Sequence, residues 1–350
     1  MTLMAPSSTR LLRAAAITAA AAAAAIAVER LFVAGPHYRG PESDHFDGKR
    51  FHNHQSGWQS SGSVLKWQLT KEPTRWPDWI DEAPGPPPER RVDGGRVRIT
   101  FVNHATMLVQ MDGVNILTDP IWSERCSPLS FAGPKRHRAP GIRFEQLPPI
   151  DAVLVSHNHY DHLDLPTLRR LRAPRVFTPL GNAPLLARNR VANGVDLDWW
   201  QEHKIDERVK VTLVPSQHFC ARGMSDRNAT LWGGFVISGP SGHVYFAGDT
   251  GWGKHFAEVR ARFGEVRVAL LPIGAYLPRW FMKPAHISPD EAVDAHRVLG
   301  AKTSIAMHFG TFALGDDGER QPVDALHAAI AEKKVSGFVV LDEGVGFDAP

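Results

Sequence analysis

From Arg96 to the C-terminus, short apolar runs alternate with turn signals and amphipathic stretches. Val97 to Val102 alternates with period two, as a half-buried strand does. Met107 to Met111 and Val114 to Leu117 flank Asp112-Gly113, a dipeptide that favours a tight hairpin turn. Further strand-like runs begin near Ala152, Val176, Val209, Leu231, Val244, Val268, Thr303 and Gly337. Helical patterns fall near Pro166 to Arg172, Ala183 to Arg190, Lys254 to Phe263, Pro289 to Leu299 and Val323 to Glu332. Strand-rich halves separated by helices predict an α/β fold with two sheets packed face to face and helices outside, a four-layer αββα sandwich.

One of these runs, Ala152 to Val155, ends in Ser156-His157-Asn158-His159-Tyr160-Asp161-His162, an H-x-H-x-D-H string. Residues two apart in an extended segment point the same way, so His157 and His159 can share one metal. The chain then turns towards the helical stretch Leu163 to Leu171, and Asp161 and His162 leave from a different local geometry, suited to a second metal. His218, Asp249 and His308 each follow another short apolar run, the edge at which open α/β sheets place binding groups. The set closes arithmetically. His157, His159 and His218 would hold one metal, Asp161, His162 and His308 the other, and Asp249 would bridge them. Mixed His and carboxylate donors suit two Zn²⁺, with other divalent transition metals as alternatives. A metal pair of this kind ionises water near neutral pH and neutralises charge developing on a phosphoryl group. His104, after the first strand, is a candidate partner of the ligands. His203, His243, His255, His296 and His327 read as surface residues.

Longer strings narrow the picture. Leu117-Thr-Asp-Pro-Ile-Trp-Ser, Gly133-Pro-Lys-Arg, Leu147-Pro-Pro-Ile-Asp-Ala-Val, Asp198-Trp-Trp, Pro215-Ser-Gln-His, Phe246-Ala-Gly-Asp-Thr-Gly, Leu271-Pro-Ile-Gly-Ala-Tyr, Pro278-Arg-Trp-Phe-Met-Lys and His308-Phe-Gly-Thr-Phe-Ala-Leu accompany the metal motif. Together, from about Phe101 to Leu314, the chain resembles the N-acylphosphatidylethanolamine-hydrolysing phospholipase D family of the metallo-β-lactamase superfamily. The resemblance implies the αββα sandwich, a dinuclear zinc site, a phospholipid substrate at a membrane surface, and release of N-acylethanolamine and phosphatidic acid. A lactone or a soluble phosphodiester is the alternative substrate class. Asp161 and Asp249 would orient the attacking hydroxide as well as bind metal. His286 would protonate the leaving alcohol or contact phosphate. Tyr160 would edge the substrate cavity, and Trp280 and Phe281 would line an acyl-chain groove or sit at the membrane surface. Ala285 and Leu165 depart from the family pattern beside the presumed substrate face, where animal members tend to carry a polar amide and an aromatic residue.

Composition adds bounds. With 43% hydrophobic and 22% charged residues and a net charge of +3, the 350-residue chain is ordinary for a globular protein and too weakly basic to argue for nucleic acid. Two cysteines, Cys126 and Cys220, form no zinc-ribbon spacing; one bridge between them is open, and Cys220 reads best as a small buried residue. Lys135-Arg136-His137-Arg138 reads as a solvated loop or, on a lipid-facing protein, a contact for anionic headgroups. Residues 1–40 form a separate segment: Arg10 and Arg13 precede an alanine-dominated run from Ala14 to Val28, which reads as a bacterial signal peptide or signal anchor, with a cytoplasmic protein as the alternative. Residues 41–95, rich in Pro, Gly, Ser and Trp, read as an irregular arm packed by Trp58, Trp67, Trp76 and Trp79 onto a hydrolase domain of residues 96–350. A homodimer is compatible with this layout.

Overall fold

The computed structural model describes residues 33–55, 61–172 and 175–350. The signal-like run Ala14 to Val28, and Trp58, lie outside the described residues. A short helix, α1 (Ser61–Thr70), precedes the first strand. One seven-stranded sheet contains β1 (Val97–Asn103), β2 (Thr106–Met111), β3 (Val114–Thr118), β4 (Ala152–Leu154), β5 (Val176–Pro179) and β6 (Gly194–Leu197). The other contains β7 (Glu202–Lys204), β8 (Lys210–Val214), β9 (Gly234–Gly239), β10 (Gly242–Phe246), β11 (Val268–Pro272), β12 (Thr303–Met307) and β13 (Phe338–Val339). The last strand, β14 (Gly346–Ala349), returns to the first sheet beside β1. Helices α2 (Leu165–Leu171) and α3 (Ala183–Arg188) follow strands of the first sheet, and α4 (His255–Phe263), α5 (Arg279–Met282), α6 (Pro289–Leu299) and α7 (Gln321–Lys333) follow strands of the second.

Every residue of β2, β3 and β11 is buried, because these strands have packed faces on both sides. Between the sheets lies the main core, with Trp232, Tyr245, Phe235, Phe246 and Phe101 each almost wholly buried. At roughly 1.5–3 kcal/mol for each large apolar side chain taken from water, this layer is the chief source of cohesion. A second core, with Leu117, Val153, Leu168 and Leu186, joins the first sheet to α2 and α3. The αββα sandwich read from the hydrophobic pattern is the fold observed.

Residues of the Pro-rich segment enter the same core. Phe46 and Phe51 are 1% exposed and pack in the inter-sheet cluster, and Trp76 is buried with its indole N–H donating to the Asp317 carbonyl. His45 fastens this segment: its ring stacks on Trp199, and its two nitrogens lie 2.6 Å from Asp44 and 2.8 Å from Asp198. Burial alone would pull its pKa down, but the hydrogen bonds to Asp198 and Asp44 outweigh burial, and the net shift is upward from 6.5. A histidine whose folded pKa is raised stabilises fully below its ordinary value and loses that contribution as pH rises through the folded value. Thermal melts of His45→Ala are therefore expected to fall below wild type by about 1–2 kcal/mol at mildly acidic pH. The gap should narrow above neutral pH; a gap that widens with pH would contradict the assignment.

Two sequence expectations differ from the structure. Arg136 and Arg138 are 4% and 8% exposed, so these two arginines face neither solvent nor a headgroup, while Lys135 stays exposed and pairs with Glu124. Arg138 instead pairs with Glu82 and Glu319, and Arg136 donates to the carbonyls of Ser123 and Ile121. His255 and His296 are buried core neighbours, bonded to Thr250 and Ser304. Cys126 and Cys220 are both buried and free, and the Cys220 thiol donates to the Thr230 carbonyl.

Candidate metal centre

The ligand candidates come from the C-terminal ends of strands in both sheets. The loop after β4 carries His157, His159, Asp161 and His162; the segments after β8, β10 and β12 carry His218, Asp249 and His308. The two sheets therefore meet at one edge with their donor atoms converging. Glycines permit the approach. A Cβ at Gly248, which has φ +59°, would lie 2.6 Å from the Ser156 side chain, and one at Gly274 would lie 2.1 Å from the His308 carbonyl oxygen. His104, Asp119 and His308 hold φ of 47°, 34° and 61°, a left-handed backbone that costs non-glycine residues roughly 1–3 kcal/mol each and persists where the surroundings over-determine it.

The donor atoms form two groups. His157 Nε2 lies 2.8 Å from His159 Nδ1, which lies 3.4 Å from His218 Nε2. His162 Nε2 lies 3.2 Å from Asp161 and 3.3 Å from Asp249, while His308 Nε2 lies 3.5 Å from Asp161 and 3.1 Å from Asp249. Asp249 also lies 3.8 Å from His218 Nε2, so its carboxylate faces both groups. Metal–ligand bonds of about 2.0–2.1 Å separate neighbouring donors by roughly 3.0–3.4 Å, which matches most of these spacings. His162 Nε2, Asp249 Oδ1 and His308 Nε2, the atoms facing one another in the second group, are buried without a hydrogen-bond partner among the described residues. A cation between these atoms would satisfy them all. The residues present fit a pair of divalent transition metals.

Neighbouring groups orient the rings. His218 Nδ1 lies 2.9 Å from the Ala285 carbonyl, which accepts its proton and leaves Nε2 free as a ligand. Asp119 lies 2.6 Å from His162 Nδ1 and accepts from both the amide and the hydroxyl of Ser156, which in turn meets His157 Nδ1 at 2.9 Å. His104 Nε2 lies 3.0 Å from Asp161. Burial holds His157 and His218 well below the ordinary imidazole range and His159 down at about 4, so these rings are neutral and ligand-ready. Burial also opposes charge on His308, yet the Asp249 and Asp161 carboxylates outweigh it and raise His308 to about 9; the same two carboxylates raise His162. The carboxylate pair thus draws positive charge to the second group.

The centre floors a cavity of about 380 Å³ walled by Val64, Trp67, Phe219, Phe281, Met282 and Leu314. Phe281 stacks on Trp67, so α1 and α5 together form one side of it. His286 lines the cavity, with Nδ1 3.8 Å from Asp249 and without a partner. Burial takes its pKa down to about 4. The N-terminus of α6 fixes its backbone: Ser288 and Glu291 form a reciprocal cap, Arg279 bonds both Glu291 and the His286 carbonyl, and Ile287 donates to Thr250. Two expected substrate neighbours lie elsewhere. Trp280 is 46% exposed under Lys66, and Tyr160 lines an adjoining cleft with Arg222 over its ring.

The profile of the Beta-lactamase superfamily domain matches residues 114–309. The chain is 39% identical to N-acyl-phosphatidylethanolamine-hydrolyzing phospholipase D 1 of Caenorhabditis elegans over 71% of this chain and 75% of that protein. The chain belongs to the N-acylphosphatidylethanolamine-hydrolysing phospholipase D family. A second member, the mitochondrial enzyme of Saccharomyces cerevisiae, is 34% identical over 65% of this chain and 50% of its own length. In fold, the chain is similar to Igni18, a metallo hydrolase of the archaeon Ignicoccus hospitalis, with a TM-score of 0.55 and 23% identity over 72% of this chain and 98% of that one. As a member of this family it is a metal-dependent hydrolase.

Asp119, Phe219 and Arg227 carry no site role in the sequence expectations, and Trp67 is expected there only as a packing residue of the arm. Asp119 carried the signal used for Asp249, a carboxylate at the end of an apolar strand run. As the partner of both Ser156 and His162, Asp119 is expected to govern metal affinity: Asp119→Ala should lower affinity or activity by about 10–100-fold in a metal titration. Wild-type affinity in a folded variant would refute that role.

Proposed function

We propose that this hydrolase cleaves the phosphodiester of N-acylphosphatidylethanolamine or a closely related phospholipid, giving phosphatidic acid and an N-acylethanolamine, at a pair of zinc ions. The observation that carries the proposal is the pairing of the two donor groups, shared through Asp249, with an apolar cavity directly above them. His157, His159 and His218 would hold one ion, Asp161, His162 and His308 the other, and Asp249 both. Bound zinc supplies Lewis acidity, lowering the pKa of water towards ~7 and drawing charge from a phosphoryl oxygen. Asp161 and Asp249 orient the attacking water by accepting from it. A P–O bond to that water forms, the P–O bond to the ethanolamine oxygen breaks, and the water's proton passes to the leaving alkoxide. His286 stands where it can donate a hydrogen bond to that oxygen or to the phosphoryl group, and Arg227 on the cavity wall adds a cation beside the phosphate. Trp67 and Phe281 line the path for an acyl chain.

The membrane reading rests on the rim. Leu65, Leu69 and Trp280, on the packed pair α1 and α5, are 61%, 77% and 46% exposed, an apolar edge suited to entering the headgroup layer. No described helix is long and apolar enough to cross a membrane.

The test is a substrate panel for the zinc-loaded full chain: N-acylphosphatidylethanolamine in mixed micelles, a set of lactones, and an aryl phosphodiester. Mass spectrometry should find N-acylethanolamine and phosphatidic acid, with kcat/KM on the lipid at least about a hundredfold above the others. Lactone turnover without lipid turnover would reverse the assignment.

A further inference from the structure

A second cavity, of about 400 Å³, lies behind the metal loop and is walled by Arg125, Arg169, Arg188 and Arg222 together with Tyr160 and Ser127. Four guanidinium groups on one cleft are an unusual concentration of charge, and none of them forms a salt bridge among the described residues. Their donors reach backbone carbonyls, Arg125 to Gly133, Arg169 to Asn189, Arg188 to Ala34, and Arg222 to Asn158 and Leu163, and Arg222 also bonds the Tyr160 side chain. The two carboxylates on the wall are engaged elsewhere. Glu124 pairs with Lys135, and Asp164 accepts from Ser123 and Thr167. Arg222 is only 9% exposed, with its guanidinium over the Tyr160 ring at 3.8 Å. The Asp226 and Asp164 carboxylates lie near enough to Arg222 to favour its charge, but four guanidinium groups against the two wall carboxylates, Glu124 and Asp164, still leave net positive charge on the cleft.

We propose that this cleft is a binding site for a phosphate monoester, separate from the metal cavity, and that the anionic headgroup of a membrane phospholipid occupies it. Arginine forks match phosphate oxygens in pairs, and several on one concave wall suit a dianion better than a single carboxylate. Two observations favour a headgroup. Val33, the first described residue, lies on the wall of the cleft, five positions beyond the apolar run that ends at Val28. Leu129, on the same wall, and Phe131 beside it are 47% and 78% exposed, as residues beside a lipid surface would be.

The test compares the full metal-loaded chain with Arg125→Gln/Arg188→Gln and with a control, Lys204→Gln/Lys302→Gln, outside the cleft. Each is sedimented with phosphatidylcholine vesicles with and without phosphatidate, and titrated with inorganic phosphate by calorimetry; circular dichroism and melting confirm folding. Removing two cleft charges should weaken binding to phosphatidate vesicles by roughly thirty-fold, while the control binds as wild type. Loss of vesicle binding confined to the cleft variant supports a headgroup occupant. Calorimetric phosphate binding lost in that variant, without vesicle binding, supports the site and assigns it to a soluble phosphate ester. Equal loss in both variants, or wild-type binding of both probes by the cleft variant, overturns the proposal. Because the readout is binding, failure of the substrate panel and failure of this site are distinguishable.

Discussion

Replacing Asp249 with asparagine is expected to lower turnover on the order of 10³-fold and to leave the purified protein with fewer than two metal ions per chain. The reason is position and charge together. Asp249 lies within 3.3 Å of His162, 3.1 Å of His308 and 3.8 Å of His218, so its two oxygens face both donor groups. An amide keeps the shape but offers one weak acceptor where a bridging anion stood. It also removes a charge that lets His162 and His308 sit close together, so the variant should lose metal cooperatively, not one site at a time. Elemental analysis beside a rate measurement decides the matter. Two tightly held ions and wild-type turnover in Asp249→Asn would dissolve the account of a shared ligand.

The fold was legible where local pattern and tertiary environment agree. β2 and β3 follow from two apolar runs around Asp112-Gly113, and α6 from its Ser288-to-Glu291 cap and the Gly300 that ends it with φ +58°. Other elements had no such support. α1 lies in a stretch whose Ser, Gly and Pro composition reads as irregular, and its helix exists because Val64 and Trp67 pack over the metal cavity. β6, β7 and β14 are short edge strands completed by pairing with β5, β8 and β1, and β14 meets β1 from the other end of the domain. A strand of that kind is set by its neighbour's open edge more than by its own residues.

The site divides along the same line. The grouping of the seven residues was readable because four share the loop after one apolar run and His218, Asp249 and His308 each follow another, and strand termini at one sheet edge converge. What surrounds them depends on contacts far apart in sequence. Asp119 reaches His162 across 43 residues, and Arg222 reaches Leu163 across 59. The basic string at residues 135–138 shows the converse. Its charge pattern suggested a surface partner, whereas Arg138 is buried against Glu319 and Glu343, with the half-exposed Glu82 at its edge.

His286→Ala is expected to reduce kcat on the order of 10²-fold while both metals remain bound, which separates its role from that of the ligands. His286 Nδ1 lies near Asp249 at 3.8 Å and groups with His218 and Asp249, but the seven proposed ligands complete both donor groups without it, and His218 keeps its contact to the Ala285 carbonyl, a backbone atom that the substitution leaves in place. Backbone bonds from Arg279 and the α6 cap also survive the change, so the fold of the segment should persist. The missing element is a donor on the cavity wall beside the phosphate. If that donor serves the departing alcohol, a substrate with an aryl leaving group, which needs little help from a proton, should lose far less rate than the lipid. If it steadies the bound phosphate, KM should rise for both substrates by a similar factor. Wild-type kcat and KM on lipid and aryl substrates alike, with two metals retained, would remove His286 from the chemistry and leave it a neighbour of the α6 cap.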